Sequence, residues 1–181
     1  LVEALLDFQF EVLTTYFNDG NRKPQRSSYN NAHAYLSAPY GIYKTSNGYI
    51  AIAMTPLPQL GELLDLNLIK DLHDQKEWFT KRDEIKKDIG DWIEKQTTEH
   101  WLSILEPADI WCAKVLDWET MVKHEGFKIL DMVQRIKRDD GLDIETLRCP
   151  IKIDGEIFKS SKAAPKIGND NNSIMKEFGI S

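Results

Sequence analysis

Apolar and polar positions follow three different rhythms along this chain. From Leu1 to Asn18 the period is helical: at 100° per residue Glu3, Asp7, Glu11, Thr14 and Asn18 form one narrow polar stripe. Leu1, Val2, Leu5, Leu6, Phe8, Phe10, Val12, Leu13, Tyr16 and Phe17 fill the remaining circumference. The pattern predicts one helix over 1–18, stopped by Asp19-Gly20, and so broadly apolar that several neighbours should cover it. No initiator Met, capping residue or turn precedes Leu1. The expectation is a piece of a longer protein, with the cover for this helix supplied elsewhere in that protein or by a partner.

Residues 21–38 are polar and irregular and read as a linker leading into a loop. The rhythm then changes to that of strands. Ala38 to Met54 reads as a buried β-hairpin with Asn47-Gly48 expected to supply two φ > 0 residues at its turn. The second arm, Tyr49 to Met54, carries no charge on either face, so both faces should be covered. Helical spacing returns over Gln59–Leu66, with Leu60, Leu63 and Leu64 inward, and over Trp78–Ile93, with Arg82, Asp83, Lys86 and Lys87 on a solvated outer face. Thr97 is the expected N-cap of a further short helix. Strands are predicted over Asp109–Leu116, Ile129–Lys137 and Arg148–Ile153, a short helix over Glu119–His124, and a last helix over Ser173–Phe178. Turns are expected at 139–141 and at Asp154-Gly155. The fold class is α+β, with antiparallel hairpins packed on helices.

Composition narrows the chemistry. With 181 residues, 41% hydrophobic and 29% charged, the chain has the make-up of an ordinary globular protein. Its 23 basic and 29 acidic residues give −6 without a basic block, which argues against nucleic acid or a membrane surface as partner. Cys112 and Cys149 lack CxxC spacing, and His33, His73, His100 and His124 never fall at ligand spacing. Neither a disulfide framework nor a metal site is expected, and a reducing, cytoplasmic compartment is. Cys112, flanked by Ile110, Trp111 and Ala113, reads as an inert buried thiol.

Several segments carry a family likeness. Pro39-Tyr40-Gly41-Ile42-Tyr43-Lys44-Thr45-Ser46-Asn47-Gly48-Tyr49-Ile50 resembles the small domain of family III CoA-transferases, the CaiB/BaiF family. Ala108–Leu116 resembles the family's segment ending Pro-Cys-Ala-Pro-Val-Leu, with Trp111 and Lys114 in place of the two prolines. Val122–Phe127, Cys149–Ile153 and Ala164–Asp170 match later family segments in order, and Leu5–Phe10 resembles the helix that closes the family's first domain. The resemblance covers essentially the whole chain but only the later half of a family member.

That resemblance implies a domain plan and a chemistry. Residues 1–20 would be the helix ending a Rossmann-like large domain, and 21–38 a linker and loop facing the active site. Residues 39–154 would form the small α+β domain, and 155–181 a tail returning toward the large domain. Family members use an aspartate nucleophile on the large domain, so no catalytic residue is assigned here. The substrate would be a coenzyme A thioester with a carboxylic acid, without a prosthetic group, and the assembly an interlocked homodimer. The substrate-facing candidates are Asn30, Asn31, Ala32 and His33 in the loop, and Tyr40 at its end. Asn31 would bond an acyl carbonyl, and His33 or Tyr40 would orient a carboxylate; a loop-packing His33 and a core Tyr40 stay open as alternatives. Two other functions also stay open: an α-methylacyl-CoA racemase-like enzyme on the same fold, and a non-catalytic interaction module. The isolated chain is expected to be inactive.

Overall fold

The computed structural model describes residues 1–29, 33–138 and 140–180. Its elements run α1 (Val2–Phe8), α2 (Phe10–Asn18), β1 (Gly41–Thr45), β2 (Gly48–Ile52), α3 (Leu57–Leu64), α4 (Asn67–Lys70), α5 (Gln75–Thr80), α6 (Arg82–Ile93), α7 (Thr98–Leu105) and β3 (Cys112–Lys114). There follow α8 (Trp118–Lys123), α9 (Glu125–Ile129), β4 (Val133–Lys137), β5 (Asp143–Leu147), β6 (Lys152–Ile153), β7 (Glu156–Ile157) and α10 (Asn171–Phe178). The fold is α+β. Two units divide at Val115: Leu1–Val115 and Leu116–Ser181.

In the first unit, β1, β2 and β3 form an antiparallel sheet in that order. One face of it carries Tyr43, Ile50 and Ile52 into a core completed by Leu57, Leu60 and Leu64 of α3, Ile85, Ile89 and Ile93 of α6, and Trp101 and Leu105 of α7. Each such side chain contributes about 1.5–3 kcal/mol when fully removed from water. Three indole N–H groups are satisfied locally: Trp78 donates to the Leu72 carbonyl at 2.7 Å, Trp92 to Leu64 at 2.6 Å and Trp101 to Ile93 at 2.8 Å. Gly61 lets α3 approach α4, since a Cβ there would sit 2.8 Å from the Lys70 backbone nitrogen.

The hairpin forms where the pattern places it, but its turn is built differently. Thr45 pairs with Gly48, leaving Ser46 and Asn47 as the turn, and neither Asn47 nor Gly48 has positive φ. Tertiary bonds set the conformation. The Asn47 side chain accepts from Thr98 N–H at 2.8 Å and donates to Glu99 at 2.8 Å, while Ser46 N–H bonds the Gln96 carbonyl. Below the turn the Thr45 and Thr98 hydroxyls meet at 2.7 Å, both buried. The pair of φ > 0 residues that a tight turn favours occurs instead at Asp154 (52°) and Gly155 (82°), between β6 and β7.

The outer face expected for α6 is also half wrong. Asp83 and Lys87 lie toward solvent, but Arg82 and Lys86 are buried. Arg82 donates to the Ala34 carbonyl at 3.1 Å and to the Gln25 carbonyl, and stacks 4.3 Å over Phe79. Its hydrogen bonds replace the water it leaves, which is how a guanidinium becomes enclosed. Burial, then the Arg82 charge, lower the Lys86 pKa, with Asp83 opposing. Asp83 takes the Ser28 N–H at 2.8 Å, and Lys87 pairs with Asp91 at 2.5 Å.

Element boundaries move for local reasons. The expected 1–18 helix is interrupted at Gln9, whose N–H bonds Leu6 three residues back. No residue of α1 or α2 is buried, so the apolar circumference stays open among the described residues. The Gln59–Leu66 helix spans Leu57–Leu64, begun at Pro56 and ended by Asp65 in the left-handed region. The helix predicted over Trp78–Ile93 is α5 and α6, divided at Lys81. Asp109 (φ 57°) and Asp131 (φ 45°) delay the strands predicted from Asp109 and Ile129. Of the predicted Arg148–Ile153 strand only Lys152–Ile153, past Pro150, forms β6, and the pattern missed β5. Thr97 caps α7 as expected, accepting from His100 N–H at 3.1 Å.

The second unit has a different centre. Its one residue classed as buried among those described is Arg148. The guanidinium donates to the carbonyls of Leu130 (2.7 Å), Asp131 (2.7 Å) and Cys149 (2.6 Å), the first two just past the end of α9. Lys159 reaches the Asp131 carboxylate at 2.6 Å and holds its pKa down. Around this cluster β4 pairs with β5 and β6 with β7 as separate two-stranded hairpins.

Candidate functional site

The sheet of the first unit leaves its other face open. Rows across the strands can be read from the register: Ile42, Ala51 and Ala113 lie side by side, and one step on come Tyr40, Ala53 and Trp111, with Ala53 N–H bonded to the Trp111 carbonyl at 2.8 Å. These residues, with Gly41, Ile52 and Cys112, line a groove of about 580 Å³, within the size range of small-molecule sites. None of the nine bears a formal charge at neutral pH. Burial, with the charge of Glu106 adding to it, pushes the Cys112 thiol up, so it stays protonated. Trp111 is 67% exposed and Ile42 46%. The expectation that both faces of the second arm are covered therefore fails for this face among the described residues.

Charges gather beyond the groove. Lys44 reaches Glu94 at 2.5 Å, and Lys114 reaches Glu99 at 2.7 Å. Lys114, then Asn47, hold the Glu99 carboxyl down at about 2.

The sequence-selected residues do not converge on one pocket. Asn30, Asn31 and Ala32 lie outside the described residues. His33 packs in the loop: its Nδ1 accepts from Tyr35 N–H at 3.2 Å, its ring is 6.2 Å from Tyr35, and its Nε2 lies 3.9 Å from Glu11 of α2. It is not among the residues lining the groove. Tyr40 is half-buried and stands at one end of that groove. Tyr43, by contrast, is fully enclosed, donates to the Pro39 carbonyl at 2.5 Å, and has its pKa driven up by burial. The sequence pointed to the groove through Tyr40 and the uncharged second arm. Trp111 and Ala113 were missed because they join the floor through β3 pairing, some 60 residues on. Among the described residues no three His, Cys, Asp or Glu side chains group to hold a metal ion, and no helix is long and apolar enough to cross a membrane.

A family model described as CoA-transferase family III matches residues 1–171. The chain belongs to that family. The matched span takes in the segments around Tyr40, Cys112 and Pro150 that carry the resemblance. Human α-methylacyl-CoA racemase is 27% identical over 144 residues, covering 78% of this chain and 37% of the racemase. Among solved structures, Rv3272 of Mycobacterium tuberculosis superposes with a TM-score of 0.64 at 17% identity, covering 92% of this chain and 44% of that one. A CaiB/BaiF family protein from Brucella suis superposes at 0.61 with 20% identity, over 91% and 43%. The chain thus spans between 37% and 44% of the length of these proteins.

Proposed function

We propose that this chain is the substrate-covering portion of an acyl-CoA:carboxylate CoA-transferase, and that the aspartate nucleophile and most of the CoA-binding surface lie outside residues 1–181. The observation that carries the reading is the family match over 1–171, joined to an uncharged groove that begins at Tyr40. In the family's reaction the aspartate carboxylate attacks the thioester carbonyl and expels CoA thiolate, leaving a mixed anhydride. The thiolate then attacks the aspartyl carbonyl and releases the donor as a carboxylate. An acceptor carboxylate repeats the two transfers in reverse, leaving as the new thioester and regenerating the aspartate. The service asked of this portion is exclusion of water, because an anhydride open to solvent is hydrolysed instead of transferred. Tyr40 supplies a hydroxyl at the groove's end; His33, bonded to Tyr35, holds the loop that precedes it.

The test is isotopic. Protein from the complete reading frame is incubated with acyl-CoA and a labelled acceptor acid, and label entering the CoA ester is the expected result. Chain 1–181 alone should show no transfer; turnover by it would place the nucleophile within these residues after all. The human relative favours one second reading, α-proton exchange on an acyl-CoA. Loss of α-hydrogen to solvent without label transfer would select it. The assembly proposed is an interlocked homodimer. The apolar sides of α1 and α2 should make chain 1–181 self-associate, and Leu5→Glu with Phe8→Glu should return a monomer in analytical ultracentrifugation.

A further inference from the structure

The open sheet face is shaped, and not merely apolar. Its central strand β2 contributes small residues, Ala53 and Ala51, to the floor. Taller side chains stand on either side: Tyr40 and Ile42 from β1, and Trp111 from the segment entering β3. Strands about 4.8 Å apart put these walls roughly 10 Å from each other. Beyond these lining residues, the next residue on the same face of β2 is Tyr49, half exposed and paired across from Lys44, roughly 13 Å from Ala53 at about 3.3 Å per residue. On the flanking strands, Lys44 of β1 and Lys114 of β3 are paired with Glu94 and Glu99.

We infer that this trough holds the acyl portion of the thioester, and that the acyl group it accepts is an unbranched hydrocarbon chain, ended by Tyr49, and not a dicarboxylic or hydroxylated acyl group. The inference rests on the acyl-CoA reading above. Two features select the occupant. A chain fits a straight channel with an alanine floor, whereas a broad protein surface would meet the ridges of Tyr40, Ile42 and Trp111. A second carboxylate in the trough would find no cation there to pair with, and a buried unpaired charge is strongly disfavoured. Hydrocarbon leaves no polar group unsatisfied, and each methylene placed in the trough adds to affinity.

The measurement is calorimetric titration of the protein from the complete reading frame with octanoyl-, butanoyl-, acetyl- and succinyl-CoA. Octanoyl-CoA should bind about tenfold or more tightly than succinyl- or acetyl-CoA. Ala51→Leu raises the floor and should weaken octanoyl-CoA about tenfold while leaving butanoyl-CoA unchanged. Ala113→Leu, at an exposed site on β3, gives the same reading if Ala51→Leu fails to fold. Equal binding of all four thioesters, binding of none, or variants that change self-association but not chain-length preference would each overturn the assignment. Succinyl transfer by the complete protein without octanoyl transfer would overturn it while leaving the transferase reading intact. No exchange with any thioester would remove both.

Discussion

Residues 38–110 and residues 116–180 solve the problem of holding a chain together in opposite ways. The first stretch buries aliphatic and aromatic side chains from a sheet and four helices in one continuous cluster. The second has no buried hydrocarbon among its described residues; three carbonyls converge on the guanidinium of Arg148 instead. Hydrophobic contact is non-directional and tolerant, so the first unit has many redundant contributors. A charged hydrogen-bond hub is directional, and its geometry depends on one residue. The second unit also exposes Trp118, Ile129, Leu147, Ile151, Phe158 and Phe178.

The contrast can be broken by mutation. Ile93→Ala, at a fully enclosed position of α6, should cost about 2–5 kcal/mol and lower the melting temperature of the first unit. The equivalent truncation in the second unit, Leu147→Ala, should change stability by less than about 0.5 kcal/mol because that side chain is largely in water. A comparable loss in both would erase the distinction. Arg148→Met comes next, at about 2–3 kcal/mol, and should act locally. Hydrogen exchange should lose protection in β4 and β5 while β1 and β2 keep theirs; protection lost throughout would mean the units fold as one.

Smaller effects sharpen the picture within the first unit. Asn47→Ala removes two hydrogen bonds that hold the hairpin turn on α7 and should cost about 1–2 kcal/mol. Acid should loosen the same joint. The Glu99 carboxyl titrates lower in the folded chain than in the unfolded one, so its contribution is present above the ordinary glutamate value of about 4.3 and fades as pH falls toward 2. Amide exchange at Ser46 and Asn47 should accelerate between those limits, and Glu99→Gln should flatten that dependence.

The two units also differed in how much the residue pattern disclosed. The hairpin, the inward leucines of α3 and the cap at Thr97 were legible because each is a local signal: a strand period, a helical period, and a hydroxyl before a helix. Arg82 and Lys86 were misplaced because solvated charge is the usual fate of such residues on a helix. What encloses Arg82 are the carbonyls of Gln25 and Ala34, some fifty residues earlier. The Asn47 turn misled for the same reason, its conformation being set by α7. Arg148 looked like one residue of a strand, since nothing in its neighbourhood signals that α9 ends against its side chain. For the site, Tyr40 was legible as part of a family motif, whereas the alanine floor was not, since alanine carries no chemical signal and the rows form only when β3 pairs with β2.

A hub built on guanidinium instead of hydrocarbon has a thermal consequence. Unfolding a unit that hides little apolar surface changes the heat capacity little, so its stability curve should be shallow and should lose less on cooling than that of its neighbour. In a calorimeter, residues 116–180 should contribute a broad, low transition beneath the sharper peak of the sheet-and-helix unit.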